Sequence, residues 1–175
     1  MNLTLSQKDV KQRGHSIECR IYAEDPSRNF LPTPGIVHKM ILPEGPGVRN
    51  DVGISEGQEV TSAYDPLLAK LVVWDSDRNS AIDRMDNALS NFVILGLITN
   101  QPFLRDIMQN KSFQKCTFST GFIDEHYATW SYREIPTELM VAALLGSKSS
   151  SQEVQKLARD PYSPWSSKGG WRQGT

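Results

Sequence analysis

From residue 14 to residue 23 the chain alternates. Ile17, Cys19, Ile21 and Ala23 fall on one side of an extended backbone, and Ser16, Glu18, Arg20 and Tyr22 on the other. A period of two predicts a half-buried strand. Glu18 and Arg20 share its polar side, placed to pair with each other or with a neighbouring strand. Glu24-Asp25-Pro26-Ser27 breaks the strand and Pro32-Thr33-Pro34-Gly35 supplies a second turn, with Phe30 and Leu31 between them as an apolar anchor. Residues 36–42 read as a second strand and 48–52 as a short third. Gly53, Glu56-Gly57 and the step at Glu59-Val60-Thr61 predict a hairpin into another short strand. After Tyr64-Asp65-Pro66 comes the most apolar stretch, Leu67-Leu68-Ala69-Lys70-Leu71-Val72-Val73-Trp74, which predicts a central strand covered on both faces.

At Asp77 the period changes. Ala81, Ile82, Met85, Leu89 and Phe92 recur at helical spacing, with Asp83, Arg84, Asp86, Asn87 and Ser90 opposite. Asp77 is the expected N-cap, and Gly96 the stop. Thr99 or Asn100 caps a second helix, with Pro102 in its first turn and Phe103, Leu104, Ile107 and Met108 inward. Ser119 and Thr120 can cap a short third helix carrying Phe122, Ile123, His126 and Tyr127. Residues 137–145 form a short apolar helix. Ser147 to Ser151 make a polar break, and Ser150-x-x-Glu153 resembles a capping box for a further helix to about residue 159. Strands followed by helices predict an α+β fold, with a small antiparallel, barrel-sandwich-like sheet, packed helices behind it, and a partial C-terminal extension. Trp165 and Trp171 lie close to the chain's end with nothing after them to bury them, so the chain reads as cut within a larger protein.

Composition narrows the function classes. The 175 residues carry a formal net charge of -1, so no global basic field recruits nucleic acid and no polybasic run targets a membrane. The first residues have no apolar signal-peptide core, and no apolar run is long enough to span a bilayer. Two distant cysteines, Cys19 and Cys116, make neither a disulfide framework nor a zinc site. Cys19, within the alternating strand, is expected to be a small core residue. His15, His38 and His126 have no partners at ligand spacing, so no metal site is expected. There is no phosphate-cradling glycine loop and no nucleophile elbow. These features suit a cytosolic, reducing compartment.

One stretch is chemically suggestive. In Pro43-Glu44-Gly45-Pro46-Gly47-Val48-Arg49-Asn50-Asp51 two prolines and two glycines shape a tight loop just before a single cation. The residues alone admit two readings: a surface turn with a solvated arginine, or a stiff support that aims one guanidinium. Lys70 likewise is either a lysine snorkelling to water or a fixed charge near a site.

An ordered series of motifs supplies context. Arg13-Gly14-His15-Ser16-Ile17-Glu18-Cys19-Arg20-Ile21-Tyr22-Ala23-Glu24-Asp25-Pro26, Phe30-Leu31-Pro32, Gly45-Pro46-Gly47-Val48-Arg49, Tyr64-Asp65-Pro66 with Ala69-Lys70-Leu71, Thr99-Asn100 and Phe103-Leu104 resemble, in order, the C-terminal domain of biotin carboxylases. The resemblance covers residues 13–127. Residues 1–12 are a lead-in. Residues 128–175 are similar to the helical linker and the start of the region that leads to the biotin carrier in the biotin-containing α subunits of acyl-CoA carboxylases. These are of methylcrotonyl-CoA, propionyl-CoA or acetyl-CoA type, the first above all. Ala63 and Leu67-Leu68 depart from the family's pattern but keep its apolar character.

The resemblance implies an ATP-dependent ligase that uses MgATP and bicarbonate to carboxylate biotin at its ureido nitrogen, at a site shared with an ATP-grasp domain. It implies that Arg49 binds bicarbonate and the biotin ureido oxygen, and that Phe122 touches the adenine of ATP. Tyr64, Asp65 and Lys70 are expected to be scaffold. Implied partners are the ATP-grasp domain, the biotin carrier domain, a second copy of the same polypeptide in a homodimer, and a carboxyltransferase β subunit. The implied compartment is the cytoplasm, or the mitochondrial matrix in a eukaryote. The ATP lid, magnesium carboxylates, glutamate base and biotin-bearing lysine are not in these 175 residues, so the chain is expected to fold without carboxylating biotin alone. The alternative is a non-catalytic packing and dimerisation module of the carboxylase complex.

Overall fold

The structure, a computed structural model, describes residues 4–134 and 136–153. The strands are β1 (His15–Tyr22), β2 (Glu24–Asp25), β3 (Leu31–Pro32), β4 (Gly35–Ile36), β5 (Lys39–Ile41), β6 (Val48–Val52), β7 (Glu59–Val60), β8 (Leu67–Asp75) and β9 (Val93–Leu95). The helices are α1 (Arg78–Asn91), which precedes β9, then α2 (Gln101–Gln109), α3 (Lys111–Gln114), α4 (Phe122–Tyr127) and α5 (Thr137–Glu153). The chain divides into a unit ending at Tyr132 and a second beginning at Arg133, which contains α5.

The first unit is the α+β arrangement expected from the order of periods. β8 is central, antiparallel to β1 on one side and to β6 on the other. Ile17, Cys19 and Ile21 of β1 and Ala69, Leu71 and Val73 of β8 form one apolar face. Ala81, Ile82, Met85, Ala88 and Leu89 of α1, with Phe103, Ile107 and Met108 of α2, close over it. Cys19 is the small core residue its register implied, and burial pushes its thiol pKa up to about 12. Asp77 caps α1, its carboxylate accepting from the Ser80 amide at 3.0 Å.

Four local expectations change. First, β8 is central but its second face is covered only in part: in the alternate positions Leu68 is buried, Lys70 and Val72 are half-buried and Trp74 is exposed. Second, residues 36–42 are not one strand. β4 pairs with β7 and β5 with β9, so β7 closes no hairpin with β6. Third, α1 stops at Asn91 and the chain leaves extended through Phe92 into β9. Gly96 follows at φ +114°, where a Cβ would collide with the Ile36 carbonyl oxygen. This glycine brings β9 back against β5 and does not terminate a helix. Fourth, α5 runs unbroken through Ser147–Ser151. The expected helix to residue 159 and the two C-terminal tryptophans lie outside the described residues.

Asn100 shows tertiary structure overriding local capping. It precedes α2, yet its side chain makes no cap. Its Oδ1 accepts from the Tyr22 amide at 2.9 Å, its Nδ2 donates to the Arg20 carbonyl at 3.1 Å, and its own amide donates to the Tyr22 carbonyl at 3.2 Å. Asn100→Ala strands a donor and an acceptor on β1 and is expected to cost about 1–3 kcal/mol, read as a lower midpoint of urea unfolding.

Candidate functional site

The open side of the three-stranded sheet carries Glu18, Arg20, Arg49, Asp51 and Lys70, whereas Asp75 at the end of β8 turns to Arg84 of α1. In register, Arg20, Lys70 and Asp51 form one cross-strand row, and Glu18, Val72 and Arg49 the next. Val48 and Val52 pack against the core, so the alternation of β6 turns Arg49 and Asp51 outward. Arg49 Nε donates to Asp51 Oδ1 at 2.9 Å and Arg49 Nη2 to Asp51 Oδ2 at 3.0 Å. These bonds raise the already high pKa of the guanidinium. The Arg49 side chain stays 73% exposed. Glu18 and Arg20 form a matching pair on β1 at 3.0 Å, settling which partner each takes.

The Pro-Gly loop is fastened at both ends. Gly47 has φ +72°, and a Cβ there would collide with the Trp74 carbonyl oxygen. Only glycine lets the loop approach β8 this closely, and the Trp74 amide donates to the Gly47 carbonyl at 2.8 Å. Asn50 Nδ2 donates to the Pro43 carbonyl at 2.8 Å. A hollow of about 480 Å³ separates the loop from α1, and Arg84 bridges it. Arg84 Nη1 donates to the Pro46 carbonyl at 2.5 Å, while Nε and Nη2 donate to Asp75 Oδ2 at 2.8 and 2.6 Å. The Ser76 amide, and then Arg84, hold the Asp75 carboxyl below the usual carboxylate range. Sequence reasoning missed Arg84, because an arginine on the polar side of a helix carries no local sign of what it reaches.

The two residues singled out for binding are not brought together. Phe122 is 6% exposed and belongs to the core on the covered side of the sheet. Its ring centroid lies 5.7 Å from Phe118, 5.0 Å from His126 and 5.7 Å from Tyr127. Arg49 is on the opposite side. His15 is structural: its Nε2 lies 3.1 Å from Arg78 Nη1, whose Nη2 donates to the Phe113 carbonyl at 2.6 Å. Arginine can only donate, so His15 Nε2 is the acceptor. Asp25 is buried. Burial pushes its carboxyl up, but donors from Ser27 and the Tyr132 hydroxyl outweigh this and hold it below its ordinary range. Among the described residues no three His, Cys, Asp or Glu side chains gather as metal ligands, and no helix is long and apolar enough to cross a membrane.

Comparison with known proteins puts this face in context. A family model described as "Biotin carboxylase C-terminal domain" matches residues 18–125. The mitochondrial methylcrotonoyl-CoA carboxylase alpha subunit of Dictyostelium discoideum is 40% identical over 173 residues, 97% of this chain and 25% of that protein. The biotin carboxylase of Halalkalibacterium halodurans is 43% identical over 124 residues, 71% of this chain and 27% of that protein. Among solved structures, the biotin carboxylase domain dimer of Hydrogenobacter thermophilus 2-oxoglutarate carboxylase, in complex with MgADP, ADP and bicarbonate, is similar at a TM-score of 0.72 and 41% identity. The match covers 77% of this chain and 30% of that one. The chain thus spans about a quarter of the length of the curated relatives it matches.

Proposed function

Because the chain belongs to the biotin carboxylase C-terminal domain family, we propose that it supplies Arg49 to a biotin carboxylation site completed by an ATP-grasp region of the same polypeptide. The observation that carries this is on the open sheet face: Arg49 follows a fastened loop and is paired along one edge of its guanidinium. The chemistry fits. Removing the proton from biotin's ureido nitrogen places negative charge on the ureido oxygen. A preplaced guanidinium stabilises that charge more in the transition state than in the ground state. Bicarbonate, a planar oxyanion, suits the same fork.

ATP, when bound, supplies the phosphoryl group that activates bicarbonate as the carboxyl donor, and the described residues contribute little to holding it. Phe122 can offer adenine no more than the edge left by its 6% exposure. The described residues gather no carboxylate cluster for magnesium. Residues 13–127 are the domain on this reading. The similarity to the Dictyostelium methylcrotonoyl-CoA carboxylase runs on through 97% of the chain, whereas that to the Halalkalibacterium biotin carboxylase covers 71%. This favours a methylcrotonyl-CoA type acyl-CoA carboxylase. Its partners on this reading are a biotin carrier, a second copy of the same polypeptide, and a carboxyltransferase β subunit.

A full-length protein that joins this domain to its ATP-grasp region should carboxylate free biotin with MgATP and bicarbonate, and this chain alone should not. Labelled bicarbonate fixed into acid-labile carboxybiotin measures both. Fixation by the isolated chain would overturn the division of labour. The second reading, a packing and dimerisation module without a catalytic part, draws on the same exposed face, with Trp74 half-exposed on it.

A further inference from the structure

We infer that Asp51 is a positioning residue for Arg49, holding its guanidinium side-on so that its far edge is presented to the reacting anion. The inference rests on the reading of Arg49 above and adds a residue to it. Arginine has five N–H donors in a planar fork. Two of them, on Nε and Nη2, go to the two oxygens of Asp51. Five less two leaves three, on Nη1 and the outer side of Nη2. Two of these three run parallel along one edge, the geometry that fits a planar oxyanion. Asp51 thus occupies one bidentate edge and leaves the other open.

The sheet explains why this orientation holds. Arg49 and Asp51 stand two residues apart on one strand, so both project from the same side. Their strand is tied to β8, where Lys70 stands directly opposite Asp51 and Val72 opposite Arg49. Val72 gives Arg49 no competing acceptor. Asp51 is the acceptor beside it, with Lys70 directly across on β8. Without Asp51, a side chain that is 73% exposed would sample many rotamers.

The test uses the full-length protein, with free biotin, bicarbonate and MgATP as probes. Asp51→Ala is expected to lower kcat roughly ten- to a hundredfold, with the KM for MgATP and the thermal midpoint unmoved. Asp51→Glu, which keeps the carboxylate, should recover most of the loss. In an Arg49→Ala background, Asp51→Ala should have no further effect, because its action runs through Arg49. Wild-type kcat in Asp51→Ala, with Arg49→Ala impaired, overturns the inference and leaves the role of Arg49 standing. An Asp51→Ala loss that persists undiminished in the Arg49→Ala background also overturns it, since Asp51 would then act independently. Unchanged activity in Arg49→Ala overturns the reading of Arg49 itself.

Discussion

Arg49→Ala in the full-length protein is expected to reduce biotin carboxylation by about 10²–10³-fold, with secondary structure and thermal midpoint unchanged. The large kinetic effect follows from what the guanidinium would face. Charge on the ureido oxygen develops in the transition state, so losing its partner raises that barrier more than it weakens substrate binding. The absence of a structural effect follows from exposure: the side chain is 73% exposed and its pair with Asp51 lies on the surface, where ion pairs contribute little to stability. Arg49→Lys should recover only part of the rate, since an ammonium cannot offer two parallel donors. Carboxybiotin formation and sedimentation of the same variants separate the two readings. Lost carboxylation with a normal assembly supports a catalytic part, whereas full activity supports a packing module.

Leu71→Ala should have the largest effect on stability, about 2–5 kcal/mol. Leu71 is 0% exposed, on the central strand and within the main core cluster. β1 and β6 hold its backbone from both sides, so the sheet cannot collapse into the space left behind, and the cavity penalty adds to the lost transfer energy. Against a typical stability of about 5–15 kcal/mol, such a loss leaves a marginal domain. Its neighbour Val72 points to the open face and is half-buried, so Val72→Ala is the matched control and should cost much less. Chemical unfolding of the two variants provides the comparison, and equal midpoints would contradict the assignment of faces.

How far the chain could be read depended on the range of the interactions involved. The alternation of Ile17, Cys19 and Ile21 and the helical recurrence from Ala81 to Leu89 are local signals, and the elements carrying them were legible to within a few residues. Strand pairing is not local. Nothing near Val93-Ile94-Leu95 shows that it meets Lys39–Ile41, and its apolar residues simply extend the helical pattern before it. Gly53 and Gly57 suggest a hairpin, yet β7 finds β4 instead of β6. Asn100 had the sequence signature of a cap, and a distant strand edge took its side chain. At the candidate site the stiff loop and Arg49 were visible as a motif. The roles of Arg84 and Asp51 depend on which side of the strand or helix faces what, and on a loop brought close by Gly47, so they emerged only with the fold.

The clasp of Asn100 on β1 also limits what the sheet can become. An edge strand with free amides and carbonyls invites another chain to add beside it, the first step toward aggregation. At Arg20 and Tyr22 those groups are already taken by a single residue that imitates a neighbouring strand with its side chain and then turns away into α2. A side chain too short to extend the sheet thus blocks its growth at this end of the edge.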